Sequence, residues 1–173
     1  MTGILGGNPK DEPMHYGEIF SVWSTSMAAK GLVACYQVYS NHAGDHDLKK
    51  MLDALIDQAK LEISECDKLL EDNGIASAAA YPNKPGAKLE EIPAGARFTD
   101  PEIAAKIAAD NAVGLVACSQ VMAQCIREDI GALFGKYHVT KAAIGLKILH
   151  MNKKKGWLIP PPLQIKRPET VTA

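Results

Sequence analysis

The 173 residues carry 19 Lys and Arg against 20 Asp and Glu, a net charge of -1 with five neutral His. That balance leaves no electrostatic footprint for nucleic acid or for an anionic membrane surface. No stretch approaches the ~18 uninterrupted apolar residues that span a bilayer, and the short uncharged start, Met1 to Gly7, lacks the marks of a secretion signal.

The length suits one domain, residues 1–173, large enough to bury its own core. Residues 1–13 combine glycine and proline without periodicity and read as a loose arm. A first helix starts near Met14, with Ile19, Phe20, Trp23, Met27, Ala34 and Val38 forming an apolar stripe. It ends around Ser40-Asn41-His42-Ala43-Gly44, where Asn and Gly suit a left-handed terminal residue.

Asp45 or Asp47 caps the second helix. Its inward stripe is Leu48, Leu52, Leu55, Ala59, Cys66 and Leu69; Lys49, Asp53, Asp57, Lys60, Asp67 and Lys68 face out. Asn73-Gly74 stops it. Residues 75–99 hold Tyr81-Pro82-Asn83-Lys84-Pro85-Gly86 and Ile92-Pro93-Ala94-Gly95, which cannot continue a helix, although Ile75 to Ala80 could add a turn. A connector of this length needs a job. A helix of this size spans about 40 Å, and extended chain of this length covers that distance as a crossover.

Thr99-Asp100-Pro101-Glu102 has capping-box spacing with proline in the first turn. Ile103, Ile107, Leu115, Cys118, Met122, Cys125 and Ile126 make the third stripe. The chain turns at Arg127-Glu128-Asp129, with Asp129 expected to cap a fourth helix striped by Ile130, Leu133, Phe134, Tyr137, Ile144, Ile148 and Met151. Gly131, Gly135 and Gly145 fall near one side and allow close backbone approach. Lys153 to Lys155 complement the dipole at its end, and a proline-rich tail occupies 158–173. Short links at 1–2 and 3–4 force antiparallel neighbours, and the long middle link lets helices 2 and 3 run parallel. The expected architecture is all-α, a ferritin-like four-helix bundle with a long crossover between helices 2 and 3.

Four cysteines, Cys35, Cys66, Cys118 and Cys125, fall on predicted helices with no CxxC pair. Cys118 and Cys125 lie about 10 Å apart along one helix, too far for a disulfide. They read as buried free thiols used as apolar filler in a reducing, intracellular compartment.

Glu18-Ile19-Phe20-Ser21-Val22-Trp23, Asp45-His46-Asp47-Leu48, Arg127-Glu128-Asp129-Ile130 and Lys155-Gly156-Trp157-Leu158-Ile159-Pro160-Pro161-Pro162-Leu163 carry a likeness. Through them the chain resembles the ferritin-like spore coat proteins of spore-forming bacteria (the coat protein F relatives) and a related large family of unknown function. The likeness runs from about Glu18 to Leu163, and its Gly-aromatic-apolar-Pro-Pro ending is the most specific part. The connector departs from it, since many relatives carry a longer aromatic-rich segment there. The resemblance implies a structural component of the spore coat or a spore-associated protein, with coat proteins or further copies of itself as partners. A homo-oligomer, in the simplest case a dimer, is expected, without nucleic acid or membrane.

A ferritin-like bundle raises the question of a di-metal site, which needs a Glu from two helices and Glu-x-x-His from the other two. Three residues before His42, His46, His138 and His150 stand Tyr39, Ala43, Gly135 and Lys147, and Glu12 precedes His15 across Pro13. The motif is missing from the bundle interior, so no cofactor and no catalysis are expected. Ser24, Thr25 and Ser26 lack a base in triad spacing, and Gly3-x-x-Gly6-Gly7 follows no strand.

Glu62 nevertheless continues the second stripe, Asn111 the third, and Lys141 the fourth, with His138 beside it. Three readings stay open. Glu62 and Lys141 both reach solvent from the stripe edge, or they form a buried ion pair joined by Asn111 or Tyr137. Alternatively, Glu18, Glu62 and His138 mark a degenerate site for iron or another divalent metal, as in an oxidoreductase or metal-binding protein. A carrier of a small apolar ligand, lined by Met27, Met122 and Phe134, is a further possibility.

Overall fold

A computed structural model describes residues 7–164 and contains four long helices. They are α1 (Tyr16–His42), α2 (His46–Asp72), α3 (Asp100–Gln124) and α4 (Glu128–Lys155). No strand occurs among the described residues. The first six residues of the expected arm and the tail from residue 165 lie outside them.

Local chemistry explains each boundary. His15 caps α1 by accepting the Gly17 N–H at Nδ1 (2.9 Å), while Glu18 Oε2 accepts the His15 N–H (3.1 Å). Asp45 caps α2 through Asp47 and Leu48, and Glu102 returns to Thr99 at the start of α3. Gly74 and Gly156 adopt φ 72° and 71°, the left-handed turn that ends α2 and α4.

Two boundaries differ from expectation. Ala43 leaves α1 extended (φ -65°, ψ 129°) because the next amides, Gly44 and Asp45, turn to the Asp100 carboxylate at 2.8 and 3.0 Å. Asp129 lies inside the first turn of α4 rather than capping it. Arg127 holds the cap position, and Asp129 receives its guanidinium.

Those contacts also set the topology. Asp100 on the α1–α2 turn places the start of α3 beside the start of α2, so the two helices run parallel. Lys155, at the end of α4, reaches Asp45 (2.5 Å) and Asp47 (3.0 Å) at the same end. Residues 75–99 return the chain along α1. Lys30 donates to the Ala78 carbonyl at 2.5 Å, Gln37 engages Asn83 and Lys84, and Asn41 engages Pro85 and Ala87. Phe98 finally donates its N–H to His42 Nδ1 (3.0 Å). Ile75 to Ala80 add no helical turn, since this strip lies extended against α1. The bundle is therefore two antiparallel hairpins joined by a long crossover.

The interior is divided. Near the Asp45 end, Tyr36, Leu48, Leu52, Ile103, Ile107 and Ile148 form one apolar cluster. Toward the Arg127 end, Val22, Cys66, Leu70, Cys118, Ile130 and Phe134 form another. On every helix the residues between the clusters are small or polar: Ser26 and Lys30 on α1, Glu62 on α2, Asn111 and Gly114 on α3, Lys141 and Gly145 on α4.

The stripe expected on α1 is displaced. Phe20 and Met27 are exposed, and the buried face carries Glu18, Val22, Ser26, Ala29, Lys30 and Tyr36. Ile126 is exposed too, because α3 ends at Gln124 before that residue can point inward. Of the four thiols, Cys66 and Cys118 are buried, Cys125 is half-buried and Cys35 is exposed, so only two serve as interior filler.

Candidate functional site

The polar layer between the two apolar clusters holds two lysine–carboxylate pairs. Lys141 of α4 crosses to Glu62 of α2, Nζ to Oε1 at 2.6 Å, with side chains 15% and 5% exposed. Gln58, one turn before Glu62, donates its amide to the same oxygen at 3.0 Å. Lys30 of α1, 5% exposed, binds both oxygens of Asp67 at 3.0 and 2.7 Å and spends a third donor on Ala78. Ser26 completes that pair by donating to Asp67. Buried charges persist only when paired and hydrogen-bonded, and both lysines meet that condition.

The sequence places these groups through helical spacing. Ser26 and Lys30 are one turn apart on the buried face of α1, and Gln58 and Glu62 one turn apart on α2. Two glycines then make room. A Cβ on Gly114 would stand 3.0 Å from Lys141 Cδ, so the lysine stem packs closely over α3 at this glycine and a side chain there would push it aside. A Cβ on Gly145 would stand 2.7 Å from Asn111 Nδ2. That close approach lets Asn111 donate to the Lys141 carbonyl at 3.0 Å.

Of the residues singled out from sequence, Glu62 and Lys141 are brought together. Asn111 meets the Lys141 backbone rather than the ion pair, and Tyr137 turns toward Cys66, Oη to Sγ at 3.9 Å. Gln58 takes the role expected of them, because on the same helix it reaches Glu62 with no cross-bundle geometry to satisfy.

Glu18 has a different place from the one a metal ligand would need. It is buried at the far end of the bundle, where Oε1 accepts the Ile126 and Arg127 amides, both at 2.8 Å. With Oε2 on His15, both its oxygens are spent on helix starts. His138 lies half-buried beside Tyr137 and joins neither ion pair of the polar layer. Among the described residues no group of three or more His, Cys, Asp or Glu is placed to hold a metal ion.

Sequence reasoning missed the part that Lys30, Ser26 and Asp67 play in this layer. Asp67 reads as a solvent-facing charge until Lys30 is seen opposite it. The signal available was the Ser26–Lys30 spacing in line with Glu18 and Val22, a polar face on an otherwise apolar helix.

Electrostatics keep the remaining reactive groups protonated. Burial pushes the Cys66 thiol up to about 12, only partly offset by its bond to Tyr137. Burial also raises Cys118, against the pull of Lys141. Tyr36 and Tyr137 are raised mainly by burial, with the Asp110 charge next for Tyr36 and the Cys66 charge next for Tyr137. None is prepared as a nucleophile at neutral pH.

A second cluster closes the other end. Arg127, 1% exposed, bonds Asp129 at 3.0 and 2.7 Å, Asn73 at 2.9 Å and the Glu12 carbonyl at 3.0 Å. The Asp129 contact raises Arg127 and lowers Asp129 from their ordinary values. One guanidinium thereby joins the α3–α4 turn, the end of α2 and the arm.

The likeness to known proteins covers nearly the whole of this architecture. The chain is 53% identical over 165 residues to the uncharacterised protein YvdQ of Bacillus subtilis strain 168, covering 95% of this chain and 97% of that one. It is 48% identical to a Bacillus halodurans C-125 protein whose 1.54 Å crystal structure is described as that of a "putative spore coat protein". That structure superposes with a TM-score of 0.91 over 92% of this chain and 100% of the other. Residues 2–170 match a family described as "Protein of unknown function (DUF3231)", and the chain belongs to that family.

Proposed function

We propose that the protein is a structural component of a spore-associated layer, built on a ferritin-like bundle and acting through assembly rather than catalysis. The observation that carries this reading is how the polar layer spends its charges. Lys30 closes on Asp67 and Ala78, and Lys141 on Glu62, so the layer braces helices against one another. The likeness to the Bacillus halodurans protein supports the spore association.

Assembly needs an outward face, and α3 offers one. Val113 and Val116 are 70% and 68% exposed, and residues 112–126 contain no charged side chain. The partners are other coat proteins or further copies of this chain.

A fluorescent fusion expressed in sporulating Bacillus tests the role. It should concentrate at the spore periphery and co-purify with washed spores. A signal spread through the mother cell and absent from washed spores would overturn it. The role requires no cofactor, so protein purified without chelators should carry metal well below one ion per chain. Stoichiometric iron, manganese or zinc would refute the non-catalytic part.

A further inference from the structure

Between α1 and α3, at the height of the polar layer, the surface opens into a groove of about 250 Å³. Its walls are apolar, with Ala28 and Leu32 on one side, Val113 and Ala117 on the other, and Phe134 at one end. Glu62 and Lys141 line its inner surface, and Asp110 stands at its edge. A smaller recess of about 50 Å³ shares Leu32, Glu62, Asp110 and Lys141 with it. Thus an apolar cleft ends on a few convergent polar atoms, the composition of small-molecule sites, and such sites occur between the helices of bundles.

The chemistry of the lining selects the occupant. The volume exceeds the roughly 150 Å³ in which an apolar cavity holds benzene, and accommodates about ten non-hydrogen atoms. Lys141 has three N–H donors and gives one to Glu62, which leaves donors for an oxygen entering along the groove. An anion would compete with Glu62 for the ammonium that it already neutralises, and would approach the Asp110 carboxylate, which Lys106 already holds. A cation would meet Lys141 itself. Either charge would also leave water for walls of Ala, Val, Leu and Phe.

We propose that this groove binds a small uncharged molecule, mostly apolar, carrying one hydroxyl or carbonyl oxygen. The oxygen accepts from Lys141, and the apolar body lies between Val113, Ala117 and Phe134. The groove shares Val113 with the outward face of α3, so binding is read on the isolated chain, apart from assembly.

Fluorine NMR titration of the full chain tests it with three probes: 4-fluorobenzyl alcohol, 4-fluorobenzoate and 4-fluorotoluene. The alcohol should bind saturably with Kd near or below about 1 mM and about tenfold tighter than the benzoate. Ala117→Phe fills the groove from a solvent-exposed position, so the fold survives, as an unchanged thermal transition would show, while affinity for the alcohol falls about tenfold or more. Lys141→Met should remove the preference for the alcohol over fluorotoluene. Absence of saturable alcohol binding, an affinity that Ala117→Phe leaves unchanged, or a preference for benzoate would each overturn the proposal.

Discussion

Glu62 and Lys141 show how a charged residue is held inside a bundle. Their Nζ–Oε1 contact of 2.6 Å lies in a site where neither side chain is more than 15% exposed, so the pair attracts strongly but has given up most of its hydration. The net gain from such a pair is small, whereas removing one partner leaves a buried charge alone. Lys141→Met should cost about 3–5 kcal/mol, and Glu62→Leu combined with Lys141→Met should recover most of it. Urea unfolding of the two single variants and the double variant reads both values. Additive losses in the double variant would show that the two side chains do not depend on each other. Both residues are legible in sequence because each continues an apolar stripe at the next helical step. Gln58 and Asp67 are not, since their place depends on which helix stands opposite.

The second helix is readable through its first half, although near its end Leu70 rather than Leu69 is fully buried and Asp67 turns to Lys30; the first is not, for a physical reason. On α2 the apolar and charged positions separate cleanly, so Leu48, Leu52, Leu55 and Ala59 fall inside. On α1 the buried face contains Ser26, Lys30 and Glu18, each satisfied by a group distant in sequence, so hydrophobic spacing points to Phe20 and Met27 instead. The connector follows the same logic. Proline excludes helix, but the Lys30, Gln37, Asn41 and His42 contacts determine the face on which the strip is laid. Lys30→Met should therefore release it. Limited trypsin digestion followed by mass spectrometry should show cleavage after Lys88 accelerated about tenfold, with the helices cut later. Equal cleavage rates would mean that Gln37, Asn41 and His42 suffice.

The α3–α4 turn carries its own pH signature. Asp129 is depressed by its hydrogen bond to Arg127, and Asp45 and Asp47 by theirs to Lys155. A carboxylate whose folded value lies below its unfolded value of about 3.9 stabilises the fold above that pH, and the contribution disappears as pH falls through the folded value. Stability should thus be level near neutrality and fall below about pH 4. Asp129→Asn removes one of these contributions, so the variant should be weaker than the parent at neutral pH and approach it in acid. Urea midpoints at neutral and acid pH measure the convergence, and a constant gap would exclude Asp129 as a source of the pH dependence.

At the scale of the molecule, the two hairpins are unequal. The connector and the charged flank of α2 cover the α1–α2 side, while α3 leaves Val113 and Val116 facing out. An exposed apolar stretch of this kind marks a contact surface. The count of helices, their hairpin pairing and the crossover follow from patterns in the chain alone. The groove does not, because its walls come from α1 and α3, whose juxtaposition only the assembled bundle provides.

The divided interior also bears on how the chain folds. Each hairpin joins neighbours in sequence through a short turn, so its loop-closure entropy is small and it can form quickly. Docking the hairpins means closing the long connector and bringing Lys141 to Glu62 and Arg127 to Asn73 across the bundle. Docking therefore carries the larger loop-closure cost, and a polar layer that must lose water late places the barrier there. Substitutions in that layer should alter the rate of unfolding more than the rate of hairpin formation. Lys30 and Lys141 then bear on how fast an assembled bundle comes apart, while the two apolar clusters supply most of its stability.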